Sequence, residues 1–272
     1  MTKWRFLRSG SASGAWNMAV DHTLLESMSR QFQPFFRLYT WEPACLSLGR
    51  FQNTSTGLLP GVLDRFPVVR RSTGGGAIWH DRELTYSLGF RAEDLDTSGV
   101  KATYERLCGF LLATWKELGY EAGFAKDLGP APSLGAVTPA CFAGTEAYDI
   151  LVDGRKLGGN AQRRERGFVF QHGSIPFRLD WSALGTLFAP EFLPVPEKVT
   201  DLDSLGYREA TDALGDRLAS NLELCLGILL EPSNLGPAET ERADQWAYAR
   251  YSNIDWTSKG TGTLRPVELP VP

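Results

Sequence analysis

The sequence predicts an α+β fold: mixed, mostly antiparallel sheets with flanking helices. Three observations carry that expectation. Short strand patterns broken by glycine-containing turns fill residues 35–50 and 67–90 and return at 148–175. Helical repeats stand before, between and after these blocks, so helices pack to the side of hairpin-connected strands. After Asp180 the pattern turns mainly helical, over residues 181–250.

Taken in order, residues 3–7 read as a short strand and 11–14 as a turn and helix start. Ala15, Trp16, Met18, Ala19, Leu24, Leu25 and Met28 recur at helical spacing, which predicts a helix over 15–29. Residues 35–39 and 45–50 read as strands, and 53–66 as a loop with a short helix. Val68 and Val69 lead into the run Arg70-Arg71-Ser72-Thr73-Gly74-Gly75-Gly76-Ala77, and residues 84–90 alternate as a strand. Tyr104, Leu107, Cys108, Leu111, Leu112 and Trp115 form one apolar face of a helix over 100–118, with Gly119 at its C-cap. Residues 127–140 are rich in Pro, Gly, Ala and Ser, a loop long enough to be functional. Asp153-Gly154 marks a hairpin turn within 148–157, and 168–175 form a further strand. Helices are expected over 181–188, 209–229 and 238–249. The organisation is then one catalytic domain, 1–256, with a tail, 257–272.

Composition narrows the function. The 272 residues carry a formal net charge of -4, which disfavours a general nucleic-acid binder but leaves room for a local basic patch facing an acidic protein. No run of 18 apolar residues exists to span a membrane, and charges occupy the N-terminal positions where a signal peptide is apolar. Cys45, Cys108, Cys141 and Cys225 are scattered without a CxxC pair, so neither zinc nor a disulfide framework is expected. A cytoplasmic protein with reduced thiols, no metal and no cofactor follows as the expectation.

Three stretches hold candidate chemistry. The three glycines, Gly74, Gly75 and Gly76, cost about 2–3 kcal/mol of backbone ordering relative to alanine. Such a run is kept where something approaches the backbone, and Arg70 and Arg71 beside it suit phosphate or carboxylate. A plain hairpin turn with two solvated arginines explains it equally. Cys141 closes the small-residue loop, and Lys156 follows a tight turn. A nearby ammonium would favour the thiolate and stabilise charge on an acyl oxygen, as acyl transfer through a thioester requires. A buried cysteine and a solvated lysine is the simpler alternative. Gly158-Gly159-Asn160-Ala161-Gln162 reads as a second glycine turn with amides facing a ligand, or as a bulge between strands. Arg163, Arg164 and Arg166 read as a solvated strand edge or a docking patch. His80 and His172 are candidate bases, though polar strand positions explain both.

In this order the motifs resemble the lipoate–protein ligase A, lipoyl/octanoyl transferase and biotin ligase superfamily. The matching segments are Trp4-Arg5-Phe6, Asn17 to Asp21, Arg70 to Ala77 with His80, Tyr148-Asp149 to Lys156, Gly158 to Arg163, Gln171-His172-Gly173-Ser174, and Tyr251-Ser252 with Trp256. The resemblance implies the biotin/lipoate protein ligase catalytic-domain fold, with an acyl tunnel beside the glycine-rich strands. Pro139-Ala140-Cys141-Phe142 looks like the cysteine loop of the ligase-like octanoyltransferases, and no Pro-Cys-Gly motif of the other transferase type is present. The chain ending soon after Trp256, without the ligases' accessory domain, agrees with that branch.

The resemblance therefore implies an octanoyltransferase of lipoate biosynthesis. It would move octanoate from acyl carrier protein to a lysine of a lipoyl domain or of the glycine-cleavage H protein, without ATP. Cys141 and Lys156 would be catalytic, with Lys156 and a backbone N–H of residues 141–145 stabilising the oxyanion. Arg70, Arg71, Gly74, Gly75, Gly76, His80, Gly158, Gly159, Asn160, Ala161, His172 and Gly173 would bind substrate, the arginines in contact with the acidic partner domains. An ATP-dependent lipoate–protein ligase and a lipoyl-domain amidotransferase are the alternatives.

Overall fold

The computed structural model describes residues 1–95, 99–128 and 138–260. The first strand, β1 (Thr2–Ala12), leads into α1 (Gly14–Arg30), which starts where the Ser13 side chain accepts from Trp16 N–H. There follow β2 (Phe35–Trp41), β3 (Cys45–Leu48), α2 (Val62–Arg65), β4 (Val68–Arg70), β5 (Ile78–His80) and β6 (Glu83–Arg91). The middle of the chain holds α3 (Gly99–Glu117), β7 (Ala122–Phe124), α4 (Ala125–Leu128), β8 (Ile150–Val152), β9 (Arg155–Lys156), β10 (Gly159–Glu165) and β11 (Phe168–Pro176). The last part comprises α5 (Trp181–Leu187), α6 (Thr211–Leu226), β12 (Ile228–Ser233), α7 (Pro237–Trp246), a π-helical turn Ala247–Tyr251 and α8 (Ile254–Lys259).

Six strands form the main sheet in the order β10-β11-β6-β2-β1-β12. Two small sheets, β4-β3-β5 and β7-β8-β9, stand apart from it. β1 runs parallel to β2 and β12, and the remaining neighbours in the main sheet are antiparallel. Both faces of the main sheet are covered. Alternation along β2 sends Phe35, Tyr39 and Trp41 toward α1, and Phe36 and Leu38 into the core shared with α3 and α6. That double burial lets β2 carry apolar residues on both of its faces, while β6 alternates and buries its polar Thr85 and Ser87 as well. The expected α+β class with mostly antiparallel pairing is the observed one.

Several elements depart from expectation. The helix expected over 209–229 stops at Gly227, whose left-handed φ of 67° ends α6. Ile228–Ser233 then becomes β12, parallel to β1; one apolar run spans helix and strand, so periodicity could not separate them. The glycine run is not a hairpin turn. β4 and β5 do not pair with each other but flank β3 on opposite edges, so the run crosses beneath β3 from one edge to the other. Gly159 to Gln162 is not a turn either; it begins the edge strand β10. The Asp153-Gly154 turn is present, with φ values of 48° and 76°. The helix C-cap at Gly119 is present too, with φ 86°. Of the small-residue loop expected over 127–140, residues 129–137 lie outside the described residues, as do residues 261–272 of the expected tail. Residues 257–259 of that tail belong to α8. No helix among the described residues is long and apolar enough to cross a membrane.

Candidate active site

The two stretches singled out by sequence are bonded together. Ala77 N–H donates to Pro139 O at 2.7 Å, and Cys141 N–H donates back to Ala77 O at 2.9 Å. A Cβ on Gly76 would lie 2.4 Å from Thr138 O and 2.8 Å from Cys141 N, so only glycine lets the cysteine segment dock here. The close approach anticipated for a ligand at Gly76 is thus made by the protein's own backbone. Gly74 faces open space, and Gly75 has a φ of 92°.

Cys141 lies on the wall of a cavity of about 500 Å³, a size suited to a small-molecule or cofactor-sized group. Lys156, on β9, is 2% exposed and extends under the cysteine segment. Its ammonium donates to Asp149 Oδ2 at 2.7 Å, to Cys141 O at 2.8 Å and to Gly144 O at 2.9 Å. An ammonium has three N–H donors, and all three are engaged. Lys156, expected to stabilise an oxyanion, thus has its donors on the cysteine loop and Asp149, with its charge beside the Cys141 segment. The expected backbone donor is engaged at Cys141 as well, in the bond to Ala77.

Burial pushes the Cys141 thiol above its ordinary pKa; Lys156 and Arg71 pull it back down, and Asp149 opposes them. Burial also disfavours the charge on Lys156, but Cys141 and the Asp149 carboxylate outweigh it and raise its pKa. Arg71 is 2% exposed and lines the cavity, donating to Ser47 O at 3.0 Å, Gly74 O at 2.6 Å and Gly76 O at 2.8 Å. Burial lowers its pKa to about 10, which leaves it cationic at neutral pH. Cys141 therefore shares its cavity with two buried cations, Lys156 and Arg71. Cys45 and Cys108 are instead pushed up to about 12 by burial, inert thiols of the core.

The two histidines occupy different networks on the same wall. His80 lies flat on Trp41, ring centroids 3.9 Å apart. Its Nε2 is 2.7 Å from Ser47 Oγ and its Nδ1 is 2.8 Å from Glu83 Oε1. Glu83 also accepts from Thr85 and from Ser174, the latter at 2.6 Å; burial opposes its charge, but His80 and these donors hold its pKa down. His172 Nε2 is 2.7 Å from Thr73 Oγ1; burial, then Arg71, keep its pKa well below 6.5, so it is neutral.

Of the residues expected at the site, Arg71, Gly74, Gly75, Gly76, His80, Cys141, Lys156, Gly159, Asn160, Ala161, His172 and Gly173 all line the one cavity. Arg70 does not. It is fully buried elsewhere and donates to the carbonyls of Gly49, Gln52, Trp256 and Thr257 at 2.7–3.1 Å, so it clamps α8 rather than meeting a partner. Gly158 does not line the cavity either; a Cβ there would lie 2.3 Å from Ser174 O. The wall is more polar than the apolar tunnel expected, with Met18, Trp41 and Ile78 beside Ser47, Thr85 and Glu146. Sequence reasoning assigned no role to Ser47, Thr73, Glu83 or Asp149. Thr73 and Asp149 lay inside the motifs already singled out; Ser47 carried no signal because only the pairing of β3 with β5 brings it to His80, and Glu83 was passed over although it stands three residues beyond His80. Among the described residues, no group of three or more His, Cys, Asp and Glu side chains could hold a metal ion.

Comparison with known proteins identifies the family and the fold. A sequence model of the lipoyl protein ligase A/B catalytic domain matches residues 13–221. The octanoyltransferase LipM of Kyrpidia tusciae is 34% identical over 94% of this chain and 98% of its own. That of Bacillus subtilis is 33% identical over the same shares. In fold, the chain is similar to lipoate-protein ligase A bound with ATP, with a TM-score of 0.80, 18% identity and coverage of 94% of this chain and 99% of that one. It is also similar to T. acidophilum Ta0514 with bound lipoic acid, with a TM-score of 0.78, 18% identity and coverage of 95% and 100%. With a catalytic-domain match over most of its length and relatives a third identical from end to end, the chain belongs to the lipoyl protein ligase A/B catalytic-domain family.

Proposed function

We propose that this acyltransferase takes an octanoyl group from the thioester of acyl carrier protein and passes it to a lysine of a lipoyl domain or of the glycine-cleavage H protein. The acyl group is held meanwhile as a thioester on Cys141, and ATP is not needed. One observation carries the reading: Cys141 is the cysteine on the cavity wall, and two buried cations, Lys156 and Arg71, line the same cavity. Cations there favour the thiolate, which is the nucleophile. The relatives named octanoyltransferase support octanoyl transfer as the reaction.

The sulfur of Cys141 adds to the donor carbonyl, the bond from that carbon to the carrier's sulfur breaks, and the carrier leaves as a thiol with the proton Cys141 gave up. The incoming lysine amine then attacks the acyl-enzyme, an amide forms, and Cys141 regains a proton from the amine. Lys156 holds the loop through the Cys141 and Gly144 carbonyls while its charge stabilises thiolate and oxyanion. His80 is the better placed base for the amine. With its Nδ1–H given to Glu83, Nε2 faces Ser47 as an acceptor. Met18, Trp41 and Ile78 offer apolar surface to an octanoyl chain, whose burial is worth about 0.8 kcal/mol per methylene.

The test is a single incubation with octanoyl-acyl carrier protein in the absence of ATP, read by mass. An octanoyl adduct on Cys141, lost in Cys141→Ala together with transfer, is the expected outcome. Full transfer by Cys141→Ala removes the covalent mechanism. Product formed only from free octanoate or lipoate with ATP establishes a ligase instead. Transfer only from an octanoylated H protein establishes the amidotransferase.

A further inference from the structure

Outside the reaction centre, three arginines are left short of partners. Among the described residues, Arg50 Nη1, Arg163 Nη1 and Arg250 Nε are buried atoms without a hydrogen bond. Burying such a donor unpaired costs about 1–3 kcal/mol, and more when the group is charged. Two of the side chains meet at one aromatic ring. Arg250 lies 3.7 Å above the Trp256 ring centroid and Arg50 lies 5.6 Å from the same centroid. Burial, then the charges of Arg50 and Arg163, lower the pKa of Arg250, as like charges crowded together must. Glu165, ion-paired with Arg163, is the carboxylate facing them. Three guanidinium groups against one carboxylate leave an excess of positive charge with donors to spare.

The cluster continues the cavity. Arg50 N–H donates to Thr73 O at 2.8 Å, which ties that arginine to the glycine crossing. Arg163 lies two positions beyond Ala161, a cavity-lining residue, on the same face of β10. The inner end of that strand is Gly159, where a Cβ would touch Cys141 Sγ. Four residues of strand put Arg163 roughly 13 Å from this point. A group bound by the arginines thus lies a strand's reach from the nucleophilic sulfur.

We propose that Arg50, Arg163 and Arg250 form an anion site for the phosphate of a pantetheine-borne acyl donor, and so set the depth at which the donor's thioester meets Cys141. The proposal rests on the thioester-donor reading above. A phosphate offers several acceptor oxygens and a charge that balances the excess, and guanidinium forks match its geometry. Its position on the donor also fits: the phosphate lies at one end of a flexible arm and the reactive sulfur at the other. The same phosphate is found on carrier protein and on coenzyme A, so the site reads the arm rather than its bearer.

Two measurements on the full chain test this. The first is calorimetric binding of 4′-phosphopantetheine against pantetheine. Phosphopantetheine should bind at least about tenfold more tightly, and the difference should vanish in Arg50→Gln/Arg163→Gln while Arg163→Lys keeps part of it. Equal binding of the two compounds by the unaltered protein overturns the proposal. The second compares kcat/KM for octanoyl-carrier protein, octanoyl-coenzyme A and octanoyl-pantetheine. Arg163→Gln should lower the first two about tenfold and leave the third unchanged. Equal loss on all three means a structural role, and loss on carrier protein alone means contact with its protein surface; either result overturns the proposal. Arg250 lies closest over Trp256, so the Arg50 and Arg163 variants are the ones to rely on if Arg250→Gln, which loses that stack, fails to fold. Absence of transfer from every donor counts against the thioester reading, and the binding comparison then decides the anion site alone.

Discussion

A Cβ built on Gly159 lies 2.8 Å from Cys141 Sγ, so the strand that walls the cavity and the sulfur that faces it share one volume. Real Cβ contacts do not come that close, and Sγ sits two bonds from Cα with a single torsion to move it, so it has little freedom to retreat. Gly159→Ala should therefore displace the sulfur without disturbing the fold, since β10 is an edge strand. We expect the rate of acyl-adduct formation on Cys141 to fall about a hundredfold, the scale of a misplaced reacting atom. Near-unchanged thermal unfolding should accompany that loss. An adduct rate equal to the unaltered protein's would show that the sulfur adapts.

Lys156 and Asp149 form a buried ion pair at 2.7 Å, and removing one partner strands the other. Such breakage costs about 3–5 kcal/mol. Lys156→Met should thus destabilise the protein and also remove the nearer cation from Cys141. Burial already raises the thiol's pKa and Lys156 opposes it, so the variant's pKa moves higher still. The pH profile of Cys141 alkylation should shift upward relative to the unaltered protein, whereas Asp149→Asn, which keeps the ammonium, should shift it downward. A profile unmoved by Lys156→Met would leave the lysine a purely structural role.

How much of this was legible in the sequence depends on distance along the chain. The Asp153-Gly154 turn and the helix ending at Gly119 were readable because each is decided by a residue able to take positive φ. The cavity wall was largely readable because Arg71, the glycine run, Cys141 and the start of β10 lie in compact motifs. The Ser47–His80–Glu83 chain was not. Ser47 and His80 are brought side by side only by the antiparallel register of β3 and β5, with Ser47 opposite Ile78 and Cys45 opposite His80. Arg70 and Arg71 look alike in sequence, yet one turns toward α8 and the other into the cavity, because successive strand residues face opposite sides. β12 was lost inside an apolar run that begins as α6, where neither period prevails.

Arg70 illustrates the consequence. Its guanidinium satisfies carbonyls from two distant segments, Gly49–Gln52 and Trp256–Thr257, and Trp256 Nε1 returns a bond to Arg70 O at 2.9 Å. Arg70→Met removes a donor from each of these acceptors; Gly49 O and Trp256 O keep the N–H of Gln52 and Gly260, and each carbonyl left bare costs about 1–3 kcal/mol. We expect a large loss of stability and faster hydrogen exchange throughout α8, with the KM for the carrier-protein donor unchanged in whatever fraction stays folded. A variant that is stable but weak for the carrier protein would return Arg70 to the docking role expected from sequence.

Two histidines, the half-buried His22 and the buried His172, set the acid limb of stability. His22, stacked on Trp246 with centroids 4.0 Å apart, has its pKa lowered to about 3 by burial and then by Arg250. His172 is likewise held well below 6.5 by burial and Arg71. When a histidine's folded pKa is depressed, the unfolded chain takes up the proton first, so stability is full above the unfolded value and falls as pH drops below it. Each histidine should contribute a slope of about 1.4 kcal/mol per pH unit below pH ~6.5, and that of His22 should persist to about pH 3. Glu83 and Glu26, both depressed by their partners, add losses of the same sign at lower pH, beginning near their ordinary values. Urea unfolding at pH 7, 6 and 5 should show the decline, and His22→Phe, which keeps the ring on Trp246, should remove about half of it. An equally steep decline in that variant would assign the acid sensitivity to other groups.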